Sequence, residues 1–130
     1  MAEPVPPCSS GARVVVCYDD DQAARDVSTV LRAAGYCVYE AYDCLAAYEM
    51  GLTIPDVQVL ITVLEPRQTV PRTFYYLLHQ NPALSVLAVG HCAQVEKGSI
   101  PHLSTLDEPF TAEQLLLAVG ARVHLSLNSA

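Results

Sequence analysis

Basic residues are scarce in this chain: 7 Lys and Arg stand against 14 Asp and Glu, for a net charge of −7 over 130 residues. A nucleic-acid partner is disfavoured, because neutralising a phosphate backbone takes clustered Lys and Arg. No apolar run approaches the roughly 20 residues that a membrane-spanning helix needs. The opening "MAEPVPPCSSGA" has no basic region followed by an apolar one, so no secretory signal is read there and a cytoplasmic protein is expected. No C-x-x-C pair occurs among Cys8, Cys17, Cys37, Cys44 and Cys92. That odd set reads as reduced thiols of a cytosolic protein, acting as small hydrophobes. His91 and Cys92 lack a second ligand pair at useful spacing, so no metal site and no cofactor are expected. The dinucleotide fingerprint G-x-G-x-x-G is missing and Gly98 is isolated, which argues against a Rossmann enzyme.

What is present is 52 % hydrophobic residues in a length that suits one domain with its own core. The proline- and serine-rich stretch 1–12 reads as a flexible tail, 13–126 as the domain and 127–130 as a second tail. Within the domain, short apolar runs alternate with helical periodicity. "RVVVCY" (13–18) has the look of a buried strand. Asp21 is placed to cap a helix in which Ala24, Val27, Val30, Leu31 and Ala34 recur at helical spacing until Gly35. "YCVYEAY" is a second strand, and Asp43 caps a short helix through "LAAYEM" that Gly51 is expected to stop. "VQVLITV" (57–63) is apolar at nearly every position, the pattern of a strand covered on both faces. A helix from Pro71 to about Gln80 and a strand at 84–90 follow. The fourth helix, somewhere in "CAQVEKGSIPHLS", is expected to be short because Gly98 and Pro101 interrupt it. "LSTLD" is a fifth strand, and Thr111 caps a final helix.

Strand and helix alternating five times in one domain require crossover connections, hence a parallel sheet with helices on both faces. The expected fold is a doubly wound, five-stranded, flavodoxin-like α/β sandwich, whose ligands would sit at the carboxyl ends of the strands. In the final helix Ala112, Leu115, Leu116, Val119 and Val123 should face the sheet. Leu117, Ala121 and Leu125, with Ala118 beside them, should face outward, as an apolar stripe that marks an interface. Of Tyr75 and Tyr76, one should pack inward and the other lie exposed. His79, His91, His102 and His124 form no triad at readable spacing.

The acidic turn "YDDD", the stretches "LRAAGYCVYEAYD" and "PDVQVLI", and "EPFTAEQLL" after the fifth strand occur in an order and at a spacing that resemble a response-regulator receiver domain, the CheY-like fold. The resemblance covers residues 13 to 126. It implies a signalling module in which two carboxylates after the first strand and an aspartate ending the third hold Mg²⁺. That aspartate accepts a phosphoryl group, which a Thr or Ser ending the fourth strand and a Lys before the fifth-strand Pro then bind. A hard divalent cation needs oxygen ligands and a phosphoryl group needs positive charge beside it.

Carried over residue by residue, these requirements fail. Counting back from Gly35 puts the acidic pair on Tyr18 and Asp19, and a one-residue shift restores Asp19 and Asp20. The acceptor position falls on Ile61 counting from Pro55, or on Thr62 counting back from Pro66. The hydroxyl position is Val89, the Lys position is Glu108 and the aromatic switch position is Thr105. A threonine hydroxyl without a base is a poor nucleophile, so Thr62 does not replace the missing aspartate. The Asp19–Asp21 run retains two readings, a cation site or carboxylates favoured at a helix N-terminus. Glu108 likewise either closes an acidic pocket with Asp19 and Asp20 or pairs with a base such as Arg67. The resemblance therefore implies a degenerate receiver, a pseudo-receiver without catalysis. Its expected use is to bind a protein partner or a second copy of itself through the fourth helix, fifth strand and final helix. The alternative is a small-ligand or metal-binding protein on the same scaffold, using the strand ends.

Overall fold

The computed structural model describes residues 12–17, 21–54, 56–64, 70, 72–81, 84–90, 103–107 and 110–128, the side chains of 21–24 and 124–128 excepted. Among the described residues five strands and four helices follow one another: β1 (Arg13–Cys17), α1 (Asp21–Ala33), β2 (Cys37–Ala41), α2 (Cys44–Thr53), β3 (Val57–Leu64), α3 (Arg72–Gln80), β4 (Ser85–Gly90), β5 (Leu103–Asp107) and α4 (Ala112–Asn128). All pairings are parallel, in the order β2-β1-β3-β4-β5. The doubly wound sandwich expected from the alternation is the fold observed. The short fourth helix expected between the fourth and fifth strands lies outside the described residues, so α4 is the final helix.

Local chemistry sets the element ends. Gly35 closes α1 with φ +97, its N–H donating to the Arg32 carbonyl at 3.0 Å while Tyr36 donates to Leu31 at 3.1 Å. That pair of bonds is the Schellman arrangement, which needs a left-handed residue and so favours glycine. Asp43 caps α2 by accepting from the Ala46 N–H at 2.7 Å. Thr111 and Gln114 form a reciprocal capping box at the start of α4, at 3.0 and 2.9 Å.

Side chains alternate between two cores. Val14 and Val16 of β1 meet Val27 and Leu31 of α1 and Leu115 and Val119 of α4, with Val59, Ile61, Leu87 and Val89 beneath. On the opposite face Val15 and Cys17 join Ala47 of α2, Phe74 and Leu77 of α3, and Leu60, Leu64, Val86 and Ala88. Each fully buried aliphatic or aromatic side chain contributes roughly 1.5–3 kcal/mol by leaving water. β3 and β4 serve both cores, which is why they read as unbroken apolar runs.

Several sequence expectations are corrected. Gly51 does not stop α2, which runs on to Thr53. It is buried against α3, where an added Cβ would lie 2.5 Å from Leu77 Cδ2, so it is there for close helix packing. In α4, Ala112 is exposed rather than facing the sheet, as are Glu113 and Gln114 after it, so burial in this helix begins at Leu115. Ala118 is half-buried against the α1/α4 core instead of facing outward. Cys37 is not a reduced thiol: it is disulfide-bonded.

Candidate functional site

The carboxyl end of the sheet is where ligands collect in doubly wound folds. Two rows of residues run across it. Cys17, Thr62, Ala88 and Thr105 are neighbours in one row. Val16, Ile61, Leu87 and Ser104 form the row one residue earlier. The ladder continues beyond both, through Val63–Val89–Leu106 to Leu64–Gly90–Asp107. Neither Ile61 nor Thr62 therefore ends its strand. Both are interior rungs.

A bulge decides which way these two residues face. Arg13 pairs with Val57 but Val14 pairs with Val59, so Gln58 is an extra residue in β3. As a result Val57 belongs to the α2/α3 core while Val59, two residues on, belongs to the α1/α4 core. A one-residue slip of this kind exchanges faces for every residue that follows. After it, Ile61 is fully buried in the α1/α4 core, the one that also holds Val89. Thr62, 3 % exposed, turns with Leu60, Leu64 and Ala88 toward α2 and α3. The two candidate acceptor positions thus lie on opposite sides of the sheet.

Gly90 closes the end of β4. Its φ of +104 is left-handed, and an added Cβ would sit 2.5 Å from the backbone oxygen of Leu64. Glycine is needed there for two reasons, conformation and the close approach of β3. Thr105, half-buried, shares its row with Thr62, with the methyl of Ala88 between them. Positions 61 and 89 hold hydrocarbon, and of the four site positions in the described strands only 62 and 105 bear a hydroxyl. Tyr18, Asp19, Asp20 and Glu108 lie outside the described residues. Among the described residues no three His, Cys, Asp or Glu side chains gather as a metal would require. The carboxylate of Asp107, exposed at the end of β5 and level with Leu64 and Gly90, was not singled out in the sequence. Its place in the strand "LSTLD" was readable, but its alignment with the end of β3 depends on the register.

Of the interface residues, Leu117 is 69 % exposed and Ala121 is exposed, both on α4. Leu125 falls in the same helix, in a part whose side chains are not described. Tyr75 packs against the α2/α3 core and Tyr76 is exposed. Among the described residues no helix is long and apolar enough to cross a membrane.

No family model matches the sequence. No curated protein matches it either. Solved structures do resemble the fold. A response regulator receiver protein from Sinorhizobium medicae WSM419 superposes with a TM-score of 0.75 at 21 % identity, covering 90 % of this chain and 98 % of its own. A receiver domain protein from Clostridium thermocellum gives 0.72 at 15 % identity, over 92 % of this chain and 99 % of that one. A CheY-like receiver domain protein from Methanospirillum hungatei JF-1 also gives 0.72, at 12 % identity, over 93 % and 100 %. The fold is that of response-regulator receiver domains, over nearly the full length of both chains.

Proposed function

We propose that this chain is a receiver-like signalling and protein-interaction module of the two-component type that works in the cytoplasm without aspartyl phosphorylation and is not an enzyme. The supporting observation is the hydrocarbon filling of the site: Ile61 and Val89 are both fully buried in the α1/α4 core. An acyl phosphate needs a carboxylate, and none stands at 61 or 62. Glu108 in the Lys position adds repulsion toward a phosphoryl group. The scaffold around the site keeps its packing, so what the molecule offers to others is its surface.

The partner face in this reading is the outward side of α4 together with β5. Leu117 supports it, as a large aliphatic side chain left mostly in water. The partner is a protein, a second copy of this chain included. Replacing Leu117 and Leu125 by Glu tests this. The variant should keep the far-UV spectrum and melting midpoint of the parent while losing self-association in sedimentation or capture of its partner. Unchanged association and capture by the double variant would remove α4 from the interface. A Leu45→Ser, Tyr76→Ser pair on the α2/α3 side is the control, because Leu45 and Tyr76 are also exposed, at 63 and 62 %.

A further inference from the structure

β2 is an edge strand: in the order β2-β1-β3-β4-β5 its neighbour is β1. Backbone N–H and C=O groups of successive residues in a strand point to opposite sides. The Cys37 N–H donates to the carbonyl of Ala12 at 2.9 Å, on the β1 side. Cys37, Tyr39 and Ala41 therefore turn their backbone groups to β1, and Val38 and Glu40 turn theirs outward. An outward row of this kind is a template for a further strand. The segment "CVYEAY" (37–42) suits such pairing, with β-branched and aromatic residues, one charge and neither Gly nor Pro.

One side chain lies across that edge. Arg32, in the last turn of α1, donates from Nη2 to the Val38 carbonyl at 3.1 Å and from Nη1 to Glu40 Oε2 at 3.3 Å. The other carboxylate oxygen of Glu40 accepts from the Tyr42 hydroxyl at 3.3 Å. A single guanidinium thus engages both outward residues, one through its backbone and one through its side chain. The planar fork of arginine allows this, whereas the point charge of a lysine would not hold both at once. The ion pair itself adds little to stability, because the Arg32 side chain is 53 % exposed and such pairs are screened by water. What the fork changes is access to the edge.

We infer that the edge of β2 is a self-pairing surface that the Arg32 guanidinium keeps closed, and that the strand it excludes is β2 of a second copy of this chain. The edge is self-complementary. Two copies related by a two-fold axis passing between their Tyr39 residues meet antiparallel, with Val38 of each opposite Glu40 of the other. Each of these pairs exchanges two N–H···O bonds, so the outward groups of both residues are satisfied in both copies. Opening the edge requires the fork to leave the Val38 carbonyl, after which one sheet runs through both molecules. β5 forms the opposite edge, so this surface is separate from the α4 and β5 face.

Amide hydrogen exchange at Val38 and Glu40, followed by NMR in dilute and concentrated samples, tests the pairing. In Arg32→Ala both amides should exchange about tenfold more slowly in the concentrated sample, while those of the parent stay as they are. Self-association through α4 does not touch these two amides, so the two interfaces are told apart. Adding Glu40→Pro to Arg32→Ala removes an outward donor without breaking the β1 ladder, and should abolish the concentration dependence at Val38. If Arg32→Ala does not keep the far-UV spectrum of the parent, Arg32→Lys, which retains the charge without the fork, takes its place with the same expected slowing. Exchange at Val38 and Glu40 that is independent of concentration in the folded variant overturns the inference. Equal slowing in the parent, or slowing at Val38 that survives Glu40→Pro, does so as well.

Discussion

In the lower half of the sheet Val14, Leu60 and Val86 are buried where a doubly wound fold of any function places apolar residues. Farther along the same strands Ile61, Thr62 and Val89 are buried too, at the positions to which the sequence resemblance assigns an acceptor and a hydroxyl. Both groups are close-packed, and apart from the Thr62 hydroxyl both are apolar; the departure from the receiver pattern on which the proposed function rests lies in the second. Packing demands only shape and apolarity, which many sequences supply, so solved receivers at 12 to 21 % identity superpose on this chain. Phosphoryl chemistry demands specific oxygens and a specific cation. Packing of this kind does not depend on them.

Ile61→Asp probes this comparison with the largest expected effect. In a receiver with an open acceptor site an aspartate near this position would be tolerated. Here it would place a carboxylate in the α1/α4 core, fully buried. The variant should lose about 4 kcal/mol or more in denaturant unfolding, or fail to fold. A stable variant would mean that the end of β3 opens more easily than its packing implies. Phe74→Ala in the opposite core should cost about 3–5 kcal/mol, the ordinary penalty of a large cavity. Gly90→Ala comes next, at roughly 2–3 kcal/mol, because it meets both a left-handed backbone and the Leu64 carbonyl. Urea unfolding of the three variants ranks them. If Gly90→Ala is neutral, the closure of β3 against β4 is looser than the register indicates.

The strands, the caps at Asp43 and Thr111, the Gly35 terminus and the order of elements were legible because each rests on a local rule. Gly51 misled because a glycine that ends a helix and one that lets two helices touch look alike without the partner, Leu77, in view. The faces that Ile61 and Thr62 take were also beyond the sequence. They depend on the bulge at Gln58, which changes the faces of β3 without any Gly or Pro to announce it. The Cys37 disulfide was missed because an odd set of cysteines with no C-x-x-C pair carries no local signal of which side chains meet. The residue types at 61, 62, 89 and 108, on which the proposed function rests, were readable directly.

Smaller effects sharpen the comparison from outside the core. Leu117→Glu should alter monomer stability by no more than about 0.5 kcal/mol, as surface substitutions do, while altering association. Mg²⁺ should bind weakly at most, because a near-octahedral oxygen shell lacks its third carboxylate. Amide chemical shifts followed through a titration should show no saturable site in the low-millimolar range or tighter. A micromolar site would mean that Glu65, Glu108 or Asp107 completes the shell.

The central claim is that the scaffold persists without its phosphoryl chemistry, and intact-mass measurement after incubation with acetyl phosphate and Mg²⁺ tests it most directly. The account predicts that the mass is unchanged, under conditions where an ordinary receiver run alongside gains one phosphoryl group. An acid-stable, alkali-labile adduct that maps to the end of β3 would contradict it.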